Sequence, residues 1–200
     1  FDAILVGYLG SLAAVKAAGE IIDRLLAPGG VAIVDPAMAD NGKLYSGFDE
    51  EYARSIGALA ERADVILPNV TEAAILSGLP YQENNDINYV NRLLDGLHHP
   101  CAVLTGVDFD EDSTGIVLQE GTVQHEYRHK RIGTGCHGTG DIFAAVFTGA
   151  LMQGKNRLDA AKIAADFTCR CIKNTVNAPA HWYGVKFEPL LPELMEMPGR

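Results

Sequence analysis

The chain has 200 residues, of which 48% are hydrophobic and 21% charged, a composition typical of a folded globular protein and unlike that of a disordered one. The 26 acidic residues outnumber the 16 basic ones, and the net charge of −10 argues against nucleic acid as a partner. No apolar run approaches the roughly 18 residues of a membrane span, and the apolar first segment lacks the basic residues of a signal peptide.

Strands and helices alternate along the first hundred residues. Short apolar runs predict strands at Ala3–Val6, Val31–Val34, Asp64–Leu67 and Ala102–Leu104. Helical periodicity and end signals predict helices at Ser11–Leu26, Asp49–Arg62, Val70–Ser77 and Ile87–Leu97. Continuous apolar strands separated by helices are typical of a mostly parallel sheet that is buried on both faces.

The pattern changes in the second half of the chain. Gly115–Gln119 and Thr122–Tyr127 predict an antiparallel hairpin, and Thr139–Gln153 and Leu158–Asn174 predict two long helices. The proline-rich tail from Asn177 is expected to run over the surface. Because no repeat or linker interrupts the pattern, we expect a single α/β domain over residues 1–200.

Polar residues follow three of the predicted parallel strands, at the edge where ligands bind in such sheets. Asp35 follows the second strand, Asn69 and Glu72 follow the third, and Thr105 and Gly106 follow the fourth. Asp35 and Glu72 could together hold a hydrated Mg²⁺, which takes one or two protein carboxylates. Alternatively, Asn69 and Glu72 cap the next helix and the other residues form ordinary turns.

Four glycines within residues 133–140 lead directly into an apolar helix. Glycines let successive N–H groups point into one concavity, and the helix start adds partial positive charge, so this segment predicts an anion site. Asp141, in the first helical turn, is a candidate general base beside that site. The alternative is an acid that stabilises the helix dipole.

These motifs resemble the ribokinase-like superfamily of small-molecule kinases. Gly138-Thr139-Gly140-Asp141 is similar to the anion hole and catalytic base of that superfamily. Within it, Gly7–Ser11, Asp35–Asp40 and Asn69-x-x-Glu72 resemble the pyridoxal/pyridoxine/pyridoxamine kinase branch, over nearly the whole chain. The resemblance implies a three-layer α/β/α sandwich and ATP-dependent phosphorylation of the 5′-hydroxymethyl group of a vitamin B6 vitamer.

The family also implies roles for individual residues at the reacting centre. Asp141 would be the base, and the amides of Gly138, Thr139 and Gly140 would stabilise the phosphoryl group in transfer. Tyr8 would lie near the substrate ring.

A second set of residues would bind the nucleotide by the same resemblance. Asp35 and Glu72, with Asn69, would organise Mg²⁺ and the ATP phosphates, and Thr105 and Gly106 would lie near the nucleotide. The hairpin Thr122–Arg128 and the helix around Cys169–Lys173 would flank the adenine.

Alternatives remain at this stage. Related hydroxymethylpyrimidine (phosphate) kinases of thiamine synthesis place a cysteine after their glycines, as Gly133-Thr134-Gly135-Cys136 does here. A sugar kinase is disfavoured by Tyr8 and by the loop Asp35–Asp40, and a non-catalytic nucleotide-binding fragment is disfavoured by Asp141.

The resemblance carries expectations about the whole protein as well. Relatives have several strands before the one that starts here, so we expect a C-terminal portion of a larger domain, with an open sheet edge. Dimers are common among relatives, which implies a homodimer at full length. The four cysteines, Cys101, Cys136, Cys169 and Cys171, form no disulfide-protein pattern, and we expect reduced thiols in the cytoplasm.

Overall fold

Eight strands and seven α-helices form in the computed structural model, which describes residues 1–83, 85–133, 136–178 and 183–195. The strands are β1 (Ala3–Val6), β2 (Val31–Val34), β3 (Ala39–Asp40), β4 (Lys43–Leu44), β5 (Val65–Ile66), β6 (Cys101–Asp108), β7 (Ser113–Glu120) and β8 (Val123–Lys130). The helices are α1 (Leu12–Leu25), α2 (Glu50–Ala60), α3 (Val70–Ser77), α4 (Ile87–Leu97), α5 (Thr139–Met152), α6 (Arg157–Val176) and α7 (Leu191–Met195), with a 3₁₀ turn at Glu188–Leu190. Among the described residues, no helix is both long and apolar enough to cross a membrane.

Six of the strands form one sheet in the order β1-β2-β5-β6-β7-β8. The pairs β1–β2, β2–β5 and β5–β6 are parallel, whereas β6–β7 is antiparallel. Two residues join β7 to β8, a connection that suits an antiparallel hairpin. The mostly parallel sheet and the hairpin predicted from the sequence are therefore confirmed.

The central parallel strands β2 and β5 are apolar at every position because both faces of the sheet are covered there. Ala32 and Val34 of β2 join the core that α1 to α4 form over one face. Ile33, which points to the other face, is fully buried too, as are Val65 and Val103 on the neighbouring strands. Burial on both faces is the arrangement of a three-layer α/β/α sandwich, as expected from the run of apolar residues.

Helix caps explain why the observed helix bounds agree closely with those predicted from the sequence. Ser11, Asp49, Asn69, Asp86 and Asn156 each accept a hydrogen bond from the backbone of the helix that they precede. These side chains satisfy N–H groups that a helix start otherwise leaves unpaired. The bounds of α3 and α4 match the prediction at both ends.

The strand bounds differ more from the prediction. The strand expected at Asp64–Leu67 is reduced to Val65–Ile66, although the N–H groups of Asp64 and Leu67 still donate to the Ala32 and Val34 carbonyls of β2. The strand expected at Ala102–Leu104 extends over Cys101–Asp108, because β7 pairs along its whole length through a bulge between Thr105 and Val107. The small hairpin of β3 and β4 and the helix α7 carried no signal that the sequence analysis used.

The chain divides into two compact units, residues 1–129 and residues 130–200. The N-terminal unit holds the sheet with α1 to α4, and the C-terminal unit holds α5, α6 and α7. The expectation of one domain over residues 1–200 stays a prediction.

Candidate active site

Asp35 and Asn69 follow parallel strands, as predicted, whereas Thr105 and Gly106 lie within β6, which runs on to Asp108. Asp35 follows β2 directly and donates its backbone N–H to the Val6 carbonyl of β1 at 2.8 Å. Thr105 donates its N–H to the Pro68 carbonyl at 2.9 Å, and it forms a parallel bridge with Asn69. Thus the ends of β2 and β5 and the bulged part of β6 present these residues to the same side.

Asn69 and Glu72 form a complete capping box at the start of α3. The Asn69 Oδ1 atom accepts the Glu72 N–H at 2.9 Å, and the Glu72 Oε2 atom accepts the Asn69 N–H at 2.9 Å. The reciprocal bonds satisfy two donors of the first helical turn. The capping alternative from the sequence analysis is therefore present in the structure.

The same helix start also holds the loop that follows β2. Glu72 Oε1 accepts the N–H groups of Met38 at 3.0 Å and Ala39 at 3.4 Å. Asn69 Nδ2 donates to the Ala39 carbonyl at 2.8 Å, and Thr71 Oγ1 accepts the Gly42 N–H at 3.0 Å. We call Asn69, Thr71 and Glu72 the loop clamp.

Glu72 is an acid held in a dry environment. It is 2% exposed, and burial followed by the charge of nearby Asp35 raises its pKa to about 8, although three backbone N–H groups act in the opposite direction. Asp35 is itself 8% exposed. Two buried acids near each other are more stable when they share a proton or a cation than when both carboxylates are ionised without one.

The pair fits the limited demands of Mg²⁺. No group of three or more His, Cys, Asp or Glu side chains is placed to hold a metal within the described part of the chain. Mg²⁺ needs no such cage, since one or two carboxylates complete a shell of waters and substrate phosphates. Glu72 Oε1 already accepts two backbone N–H groups and Oε2 accepts one, so a bond from Glu72 to Mg²⁺ would use the remaining lone pair of Oε2.

Tyr8 lies two residues after the end of β1 and is 61% exposed. Its ring centroid lies 5.5 Å from that of Phe48, which stacks on Tyr52 at 3.8 Å and 12°. Tyr45 lies 6.4 Å from Phe48 on another side. Tyr8 was predicted from the sequence, whereas Phe48 was not; the available signal for Phe48 was an aromatic residue directly before the helix cap Asp49.

The glycine-rich segment begins α5 without a side-chain cap. Gly138 is the N-cap residue at φ 85°, a left-handed conformation that glycine adopts without strain, and it makes no side-chain cap bond. The Ile142 N–H is the first to bond back, to the Gly138 carbonyl at 3.1 Å. The amides of the first turn therefore point out of the helix end, where an anion can bind them. Asp141 lies in that turn and is exposed.

Hydrogen bonds within the C-terminal unit hold this turn in place. Val185 donates its N–H to the His137 carbonyl at 3.0 Å, and Lys186 donates its N–H to Thr175 Oγ1 at 2.7 Å. Asn174 Nδ2 donates to the Lys186 carbonyl at 2.9 Å. Through these bonds α6 fixes the residue that precedes Gly138.

Of the other predicted site residues, some lie within the described part of the chain and others lie outside it. Gly106 lies at the bulge of β6 with φ 66°. Thr134 and Gly135, in the segment that resembles hydroxymethylpyrimidine kinases, lie outside the described residues. The strand-end group lies in the N-terminal unit and Asp141 in the C-terminal unit, so their assembly into one site stays a prediction. The adenine contacts from Thr122–Arg128 and Cys169–Lys173 stay predictions as well.

The fold, together with the motifs at the strand ends and at the start of α5, defines a structural class of protein. The six-stranded α/β sheet superposes on the crystal structure of pyridoxal kinase from Lactobacillus plantarum with a TM-score of 0.85 at 32% identity, covering 98% of this chain and 71% of that one. The fold is therefore ribokinase-like, as the sequence motifs implied.

The family follows from the sequence match. Residues 1–185 match the family model for phosphomethylpyrimidine kinase, and the chain belongs to this family. It is 30% identical over 146 residues to the hydroxymethylpyrimidine/phosphomethylpyrimidine kinase of Bacillus subtilis, covering 72% of this chain. It is 28% identical over 180 residues to the pyridoxine/pyridoxal/pyridoxamine kinase of Bordetella avium, covering 86% of this chain. The matches span 54% and 60% of the lengths of these two relatives.

Proposed function

We propose that this protein is an ATP-dependent kinase that phosphorylates the 5′-hydroxymethyl group of a vitamin B6 vitamer. The observation that carries the proposal is the glycine-capped start of α5 with Asp141 in its first turn. Phosphoryl transfer needs positioning and charge stabilisation more than covalent chemistry. A helix start whose N–H groups are not bonded by a capping side chain supplies both to a phosphate. Membership of a kinase family supports the reaction class.

Asp141 acts as the base in the proposed reaction. Its carboxylate accepts the proton of the substrate hydroxymethyl group while that oxygen attacks the γ-phosphorus of ATP. The bond from the γ-phosphorus to the bridging oxygen breaks, and ADP leaves with that electron pair. The N–H groups of Gly138, Thr139 and Gly140 donate to the oxygens of the phosphoryl group, where charge is concentrated.

Asp35 and Glu72 serve the nucleotide side of the proposal. When bound there, Mg²⁺ would neutralise charge on the ATP phosphates. The loop clamp sets the position of the loop after Asp35, because three side chains of α3 and its cap bond that loop directly. Thr105 and Gly106, at the bulge of the adjacent strand β6, are proposed to lie beside the nucleotide.

The ring of Tyr8 supports an aromatic substrate. An exposed aromatic side chain at a strand end offers a planar apolar surface, which suits a pyridine ring better than a sugar.

A homodimer and a cytoplasmic location are proposed with the B6 kinase assignment.

Phosphorylation of a hydroxymethylpyrimidine is the second candidate. It is favoured by the family match and by the Bacillus subtilis relative, whose identity is similar to that of the B6 kinase relatives. Both substrates are planar nitrogen heterocycles that carry a hydroxymethyl group, so both fit the same chemistry. Competition between pyridoxal and hydroxymethylpyrimidine for phosphorylation separates the two candidates.

The variant Asp141→Asn tests the proposed reaction. Loss of a general base lowers turnover by about 10²- to 10⁴-fold, and ATP binding should be largely retained because the backbone amides remain. Asp159→Asn is the matched control, since Asp159 is also the acid in the first turn of a helix, α6. Turnover by Asp141→Asn equal to that of the control would remove Asp141 from the base role.

A further inference from the structure

Four aromatic side chains meet between the end of β1 and the start of α2, and Phe48 lies at their centre. Its ring stacks face to face on Tyr52, with centroids 3.8 Å apart and planes at 12°. It also packs against Tyr8 at 5.5 Å and 32°, and against Tyr45 at 6.4 Å and 47°. No other side chain is paired with all three tyrosine rings among the described residues.

The stack has a fixed base. Tyr52 is 4% exposed in the core, and its N–H donates to Oδ1 of the cap residue Asp49 at 2.9 Å. Phe48 directly precedes that cap, and its N–H donates to the Tyr45 carbonyl at 3.1 Å. The capping bond therefore sets the chain direction that lays the Phe48 ring flat on Tyr52.

The ring of Tyr8 has two neighbours, although most of the residue is open to solvent. One is the ring of Phe48. The other is Gly10, where an added Cβ atom would be 3.3 Å from Cε1 of Tyr8. An exposed tyrosine without such contacts would change rotamer freely, so this packing fixes the orientation of the ring.

We infer that Phe48 is a positioning residue that holds the Tyr8 ring in the orientation that binds a planar heteroaromatic substrate. The inference rests on the proposed function and extends it to a residue that touches no reacting atom. A ring already fixed before binding loses little entropy when the substrate stacks on it, which strengthens binding. Phe48 therefore acts on the affinity for the aromatic substrate and not on the affinity for ATP.

Two variants change the two neighbours of the Tyr8 ring. Phe48→Leu keeps an apolar side chain but removes the stacked ring. Gly10→Ala puts a methyl group against Tyr8 and leaves every aromatic ring present. Phe48→Tyr restores an aromatic ring as a rescue variant.

Matched controls separate positioning from general destabilisation. Phe109→Leu removes another half-buried ring of the N-terminal unit, which packs under Arg128 with a centroid distance of 4.1 Å. Gly29→Ala shares the strain of Gly10→Ala, since φ is 80° at Gly29 and 72° at Gly10, but a Cβ at Gly29 meets nothing within 4 Å.

The measurements are steady-state KM and kcat for pyridoxal and for ATP, with equilibrium binding of pyridoxal followed by fluorescence. For Phe48→Leu and Gly10→Ala we expect KM for pyridoxal to rise roughly 3- to 10-fold, the contribution of one aromatic pair. The kcat and the KM for ATP should stay within about 2-fold, and Phe48→Tyr should restore the KM for pyridoxal.

An unchanged KM and unchanged binding for pyridoxal in Phe48→Leu would overturn the inference. So would parallel losses in the constants for both substrates, matched by Phe109→Leu, because they indicate a structural role. If the unaltered protein binds pyridoxal without phosphorylating it, the proposed function fails, and the binding series still tests Phe48. Absence of both binding and turnover would overturn the two together.

Discussion

The buried carboxyl group of Glu72 should make the protein less stable as the pH rises between about 5 and 8. Burial, and then the nearby charge of Asp35, raise the pKa of Glu72 from 4.5 to about 8. In this range the folded protein keeps a proton that the unfolded chain has lost. The stability contributed by this proton is full below pH 4.5 and is lost as the pH rises through the folded pKa of about 8.

The size of the effect follows from the shift in the pKa of Glu72. The difference between 8 and 4.5 is 3.5 units, and at 1.36 kcal/mol per unit it corresponds to about 5 kcal/mol. Glu72 is 2% exposed, so solvent does little to screen this cost. A small domain is stable by about 5–15 kcal/mol in total, so the change is large enough to measure.

The variant Glu72→Gln removes the titration and part of the capping box. Both Glu72 oxygens accept backbone N–H groups, from Asn69 on one side and Met38 and Ala39 on the other. Glutamine has one acceptor oxygen, so one side loses its partner at a cost of about 1–3 kcal/mol. We therefore expect the variant to be about 1–3 kcal/mol less stable than the parent near pH 5. Near pH 9 the order should reverse, because the parent has by then lost about 5 kcal/mol that the variant, which does not titrate, keeps.

Urea unfolding followed by circular dichroism at several pH values between about 5 and 9 measures this difference. Glu61→Gln, the same change at an exposed position after α2, is the control and should follow the parent at every pH. If the difference between the free energies of unfolding of the parent and Glu72→Gln stays the same at every pH, the reasoning is refuted.

Three further predictions follow from the same geometry. Glu72→Gln should raise the Mg²⁺ concentration needed for half-maximal turnover more than it alters KM for the alcohol; superimposed magnesium titrations of variant and parent would leave Glu72 as a capping acid alone. Gly138→Ala should cost about 1–2 kcal/mol of strain, as Gly29→Ala does at a similar φ, but only the change at Gly138 should reduce turnover; equal activities would contradict an anion site there. Burial raises the pKa of both Cys169 and Cys171 to about 11, so iodoacetamide near pH 8 should leave them unlabelled in the native protein, as mass spectrometry would show; rapid labelling would contradict their burial.

Local chemistry made much of the fold predictable from the sequence. The start of α3 was predictable because Asn69 is a good cap, and its end because Gly78 adopts the left-handed conformation. In the structure α4 likewise begins directly after a cap residue, Asp86. The apolar run Val31–Val34 indicated a strand buried on both faces, and it lies between two parallel neighbours.

The parts that could not be predicted depend on contacts between distant segments. Glu72 was recognised as a capping acid or metal ligand, but its bonds to Met38 and Ala39 join residues more than thirty positions apart. The Phe48 ring joins a loop to a strand end in the same way. A helical or strand period carries no information about such pairings, since they arise only when the sheet brings its strand ends together.

Turnover of four alcohols by one preparation tests the central claim most directly. Release of ADP is measured with ATP, Mg²⁺ and, in turn, pyridoxal, pyridoxine, pyridoxamine and hydroxymethylpyrimidine, and ³¹P NMR identifies the phosphate ester formed. We predict a 5′-phosphate ester of at least one B6 vitamer, with a higher kcat/KM than for the pyrimidine. Phosphorylation of hydroxymethylpyrimidine alone, or of none of the four, would contradict the assignment as a B6 kinase.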